Sequence, residues 1–214
     1  MITLKRFARI EKAIRDAGFA DIIEWSQTIP PPENAHDFAS DVIYVICNSG
    51  MRQPVAKDIH ERCMVALSNG LSAATAFGHP GKQQAIDVIW EARAELFAAY
   101  VDAPDKIAFC ETLPWIGPVT KYHLAKNFGI DTAKPDVHLE RLASREGSDT
   151  FQLCGRLARL SGYRIATVDS ILWRACAEGI INSRVYEAEG WRAAFNGVPT
   201  YIPEDQEASG DELA

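Results

Sequence analysis

Asp136 directly follows Pro135, and the helical pattern Val137, Leu139, Leu142 begins immediately after it in "KPDVHLERLA". A carboxylate in that place has two uses. It can cap the helix, worth about 1 kcal/mol of stability. It can also face a reacting centre: about 4 Å from a developing cation, at an effective dielectric near 20, it stabilises that charge by about 4 kcal/mol. That is on the order of a thousandfold in rate. The same group can orient or deprotonate an attacking water, and the positive end of a helix favours an anion. Around it stand His138, read as a structural hydrogen-bonder or phosphate contact rather than a proton carrier, and Lys134. Further upstream is Lys121, a second amine with nucleophilic capacity.

The segment before this aspartate must position it. In "APDKIAFCETLPWIGPVTKYHLAKNFG" a short helix runs into Leu113-Pro114, turns through Trp115-Ile116-Gly117 and restarts at Pro118, a residue suited to the first helical position. Tight helical corners serve packing as readily as function. The functional use is that a helix start presents unpaired N–H groups and a positive dipole end, which suit a phosphate oxygen. Leu113, Trp115, Gly117, Val119, Thr120 and Lys121 are the residues of that corner.

The rest of the chain reads as helices. Stretches such as "HDFASDVIYVIC", "QQAIDVIWEARAELFAAY" and "TVDSILWRACAEG" space apolar residues three or four apart, and alternating strands are absent. The expectation is an all-α domain of roughly ten short helices over residues 1–203, divided into two lobes, followed by an acidic, disordered tail over 204–214. That tail carries five of the seven net negative charges, whereas Leu113 to Arg164 holds eight bases against five acids. Nucleic-acid binding is therefore permitted by the charge pattern and not shown by it. Five cysteines without close pairing argue against a disulfide framework and for a reducing compartment. With neither a signal-peptide core nor a run of membrane-spanning length, the expected protein is soluble and cytoplasmic, with no membrane partner.

The pattern Leu-Pro-x-Ile-Gly, about ten helical residues, a short loop and then Pro-Asp-Val-His-Leu resembles the helix-hairpin-helix DNA glycosylases of the endonuclease III superfamily. The signature spans about 30 of 214 residues, the hairpin falling at about 104–129. The resemblance implies a two-lobe helical glycosylase fold with DNA held in a cleft between lobes. It implies excision of a damaged or mismatched base, an oxidised or alkylated purine being one option, with Asp136 stabilising the sugar cation. It further implies a monomer, associated with the nucleoid when bound to double-stranded DNA carrying such a base.

Family hairpins usually have glycine where Trp115 stands, so the backbone path, or the monovalent-cation site often formed there, can differ; Trp115 itself is expected as a buried plug rather than a contact beside the phosphate. Members that also cut the strand carry a lysine two residues after the last hairpin glycine, where this chain has Val119. A monofunctional enzyme is therefore expected, with strand cleavage through Lys121 or Lys134 as one alternative and a non-catalytic DNA-binding module as another. After Asp136 only Cys154 and Cys176 remain, so no iron–sulfur cluster is expected. The five histidines show no zinc-ligand spacing, and no metal or cofactor is expected beyond a hairpin cation.

"VIYVICNSGMRQPVAKDIHERC" resembles the family segment whose loop fills the gap left by an extruded base, with Asn48, Met51, Arg52 and Gln53 as candidates. An ordinary helix connection, with Asn48, Ser49 and Gly50 as turn residues, is the competing reading. Trp25, Tyr44, Phe151 and Trp173 are plausible linings of a base pocket, and each also suits a core.

Overall fold

A computed structural model describes residues 1–200. The acidic tail expected over 204–214 lies outside the described residues. The chain is all-α, with thirteen α-helices and one 3-10 turn among the described residues; the nearest approach to a sheet is an isolated antiparallel bridge, Ile181 with Phe195. It divides into two compact units. One comprises Met1–Gln27 and the chain from Asp136 onward; the other is Thr28–Pro135.

The Thr28–Pro135 unit is built on α3 (Ala35–Asn48), started by Asn34, whose side chain accepts from Asp37 N–H. Apolar residues all round this helix (Phe38, Val42, Ile43, Val45, Ile46) are fully buried, as a central helix requires. Around it pack α4 (Gln53–Ser68), α5 (Pro80–Glu91), α6 (Arg93–Asp102) and α8 (Thr120–Asn127), while α7 (Lys106–Glu111) pairs with α8. Phe38 stacks on Phe128 at 5.2 Å, and Tyr100 closes the aromatic cluster. At the end of α8 the chain turns through Gly129, φ +75°, where any Cβ would stand 2.6 Å from the Ile29 carbonyl; only glycine fits.

The other unit has the same logic. Its buried helix is α11 (Ile165–Ala177), packed by α1 (Leu4–Asp16), α9 (Val137–Ser144) and α10 (Thr150–Ser161). The helices α2 (Ala20–Thr28), α12 (Ser183–Glu189) and α13 (Trp191–Ala194) complete the list. Phe7, Ile10, Ile14, Leu139, Leu157 and Leu172 fill its core. A capping box starts α10, Asp149 and Gln152 exchanging side-chain and backbone bonds, and Gly162 in the left-handed conformation ends it.

Two boundaries differ from the pattern in the sequence. "QQAIDVIWEARAELFAAY" is interrupted at Ala92, where the Arg93 guanidinium takes the Trp90 carbonyl and covers the Trp90 ring. That split adds one helix, and the short α12 and α13 after the last periodic stretch add two more, so the described residues hold thirteen rather than about ten. The second hairpin helix begins at Thr120, not at Pro118. All five cysteines are free and buried. Among the described residues no helix is long and apolar enough to cross a membrane.

Candidate functional site

Asp136 is the N-cap of α9 in extended conformation, φ −89° and ψ 170°. Its Oδ1 accepts from His138 N–H at 2.9 Å and from Leu139 N–H at 3.1 Å. Its Oδ2 has no hydrogen-bond partner among the described residues, and the residue is half-buried. The capping use is therefore realised by one oxygen, and the other remains open to a ligand or water. The charge is felt inside the same unit: burial pushes the Cys176 thiol up, and Asp136 pushes it further.

His138 is held by the fold. Its Nδ1 lies 2.9 Å from Ser183 Oγ, and burial lowers its pKa, with Arg141 and Arg184 acting the same way and Asp136 opposing. The lowered pKa favours the neutral imidazole as the hydrogen-bonding form.

The hairpin turns between Leu113 and Thr120. Leu113 and Ile116 anchor it in the core, and Ile116 N–H closes a turn onto the Leu113 carbonyl at 3.1 Å. Trp115 has φ +66°, a left-handed conformation found at no other non-glycine among the described residues. The backbone thus takes a path that normally favours glycine, at a cost of about 1–2 kcal/mol. The expected buried plug is not what forms: Trp115 is 44% exposed. Its ring lies over Gly81 and edge-on to His79, 5.3 Å between centroids, because a left-handed residue at the turn directs its side chain along the surface of α5.

Thr120 Oγ1 accepts from Gly117 N–H at 2.7 Å, which pins the turn and delays the helix past Pro118. The next two amides, Val119 and Thr120, find no acceptor among the described residues. They are adjacent donors at a helix start, with Val119 exposed. Lys121 is turned back to Glu111, Nζ to Oε2 at 2.5 Å. Lys134 is half-buried in the other direction along the chain and lowers the pKa of His123, after burial, which lowers it most.

The segment at the end of α3 sorts its four candidates. Asn48 closes α3 and accepts from Met51 N–H at 3.2 Å, and Met51 packs against the core. Arg52 is the N-cap of α4 and Gln53 its first residue, both exposed. Lys82, which the sequence reading passed over, holds this loop. It is 4% exposed, and its Nζ donates to Ser49 O at 2.6 Å and Cys47 O at 3.3 Å. Burial lowers its pKa, and a cation at the C-terminus of α3 offsets that cost through the helix dipole. Lys82, Ala85, Ile86 and Ile89 share one buried helical face, a spacing that marks it as inward-facing.

The pocket candidates divide between the units. Tyr44 is half-buried in the Thr28–Pro135 unit, edge-on to His60 (5.6 Å) and His123 (6.3 Å), both imidazoles with pKa lowered chiefly by burial. Trp25, Phe151 and Trp173 belong to the other unit. Trp25 is 53% exposed, Phe151 sits exposed in the first turn of α10, and Trp173 lies half-buried under the Arg174 guanidinium. The exposed pair is not core. Compared with known proteins by family model, by sequence and by structure, the chain matches no family model, no curated protein and no solved structure.

Proposed function

We propose that the protein is a DNA glycosylase that hydrolyses the N-glycosidic bond of an extruded base and leaves an abasic site. The observation that carries this reading is the Asp136 carboxylate: one oxygen is fixed by two helix amides, and the other has no hydrogen-bond partner among the described residues. A group so held is pre-oriented, and it can face the cation that develops on deoxyribose or direct a water to it. The hairpin supports the same reading with its left-handed turn at Trp115 and adjacent free amides at Val119 and Thr120, suited to one phosphate. Of the gap-filling candidates, Arg52 and Gln53 are the ones whose exposure suits entry into a duplex. With Lys121 drawn to Glu111 and Val119 in the place of the family's lysine, base release without strand cleavage is the expected chemistry.

The test offers duplexes that each carry one modified base or mismatch and looks for alkali-labile sites. Asparagine caps helices as well as aspartate does, so Asp136→Asn should fold normally and lose on the order of a thousandfold in rate. The complete helix cap also favours a second reading, a DNA-binding module in which Asp136 is purely structural. That reading predicts binding without base release in wild type, and no effect of Asp136→Asn.

A further inference from the structure

A second set of cations, in the unit formed by Met1–Gln27 and the chain from Asp136 onward, shares no residue with the hairpin or with the Asp136 cap. On α1, Lys5, Arg6 and Arg9 line a concavity of about 300 Å³ together with Thr3, Trp191 and Arg192. No acid lines it, and among the described residues none of Lys5, Arg6, Arg9 and Arg192 has a carboxylate within ion-pair distance. Glu146 in the same unit is committed elsewhere: it pairs with Arg156 at 2.5 Å and accepts from Tyr186 OH at 2.9 Å.

Gathering four like charges costs energy that isolated solvated side chains avoid by spreading apart. Here the arrangement is held. Trp191 stacks on Phe195 with centroids 4.3 Å apart, and this aromatic pair carries the guanidiniums of Arg6 (5.3 Å from Trp191) and Arg9 (4.8 Å from Phe195). Arg6 gives one Nη1 N–H to the Met1 carbonyl at 2.5 Å; a guanidinium over a ring otherwise keeps edge N–H groups for an oxyanion. Lys5 and Arg9 lie one turn apart, about 6 Å along the helix axis, so the charge forms a row rather than a point. Thr3 caps α1 there, adding the positive end of a thirteen-residue helix. Trp191 is 9% exposed and covered by arginine, so its ring is not offered to bases.

We infer that this concavity binds consecutive phosphates of a nucleic-acid backbone, as an electrostatic anchor independent of base identity. The choice of ligand rests on the DNA reading of the hairpin; the geometry alone asks for a row of phosphates. In an overall acidic chain the anchor accounts for how a duplex is held by local rather than net charge.

The test measures binding of the full-length protein to a long undamaged duplex over a range of salt concentrations. The triple variant Lys5→Gln/Arg9→Gln/Arg192→Gln should bind at least tenfold more weakly, with the slope of log K against log salt shallower by about 2–3. An unchanged slope and affinity overturn the inference. Should the triple variant melt early, Lys5→Gln/Arg192→Gln, which touches neither ring, should still reduce the slope by about 2. Inorganic tripolyphosphate separates the sources. If these substitutions abolish its binding and leave duplex binding untouched, the site takes small oligophosphates and the nucleic-acid assignment is overturned. Base release by wild type with no slope change sinks the anchor alone; a slope change without base release on any lesion sinks the catalytic reading alone.

Discussion

Trp115 Cζ3 would stand 2.7 Å from a Cβ built on Gly81, so the left-handed hairpin residue and the glycine in the first turn of α5 are a matched pair. The indole of Trp115 occupies the space that a side chain at position 81 would need. The hairpin is thereby tied to α5, the helix whose next residue, Lys82, holds the loop between α3 and α4.

That relationship has a thermodynamic signature. Gly81→Ala should destabilise the Thr28–Pro135 unit in the wild-type background and cost little in a Trp115→Ala background, a coupling that a double-mutant cycle in urea reads directly. At position 115 itself, glycine relieves the left-handed strain that alanine retains. Trp115→Gly should therefore be about 1 kcal/mol more stable than Trp115→Ala.

Substitutions at Asp136 separate its structural role from the proposed chemistry. Asp136→Ala should lose about 1 kcal/mol of stability with the cap, while Asp136→Asn should unfold at the wild-type urea midpoint. If base release falls equally in both, the loss belongs to the charge and not to the helix start.

The arrangement within each unit was legible where periodicity is strong: α3, α10 and α11 carry their apolar faces openly, and the Pro135–Asp136 start of α9 is visible in six letters. What was not legible depends on side chains returning to backbone. Thr120 taking the Gly117 amide moves a helix start two residues, and Arg93 taking the Trp90 carbonyl splits one helix into two. Composition places tryptophan inside, yet a left-handed backbone lays Trp115 on the surface. Lys82 reads as a solvated first-turn lysine until its face is compared with Ala85, Ile86 and Ile89. The row on α1 was hidden because Arg192 and Trp191 come from the far end of the chain.

Asp41 makes stability depend on pH. Burial, and secondarily Asp37, pushes its carboxyl from 3.8 to about 7, so between those values the folded chain binds the extra proton and the unfolded chain does not. Its contribution is present in acid and is lost as pH rises through about 7. His60, His123 and His138, lowered from 6.5 mainly by burial, act oppositely: their contribution is present above the unfolded value and is lost as pH falls through their folded values. Asp41→Asn should raise the urea midpoint at pH 8 and have little effect near pH 4. An equal shift at both values would show that the carboxyl is not the titrating group.

Strand cleavage should be absent from the wild type and installable at one position. A Schiff base on the abasic sugar needs an amine within reach of it, and the hairpin's own lysine, Lys121, is bound to Glu111 at 2.5 Å. Val119 is exposed beside the two free amides, so a longer, charged side chain fits there without disturbing the core. With borohydride present, wild type should give no covalent adduct with DNA containing an abasic site, and Val119→Lys should give one. An adduct in wild type that disappears in Lys134→Gln would assign the lyase role to Lys134. Failure of Val119→Lys to form any adduct while still binding the abasic duplex would mean that the hairpin does not present position 119 to the sugar.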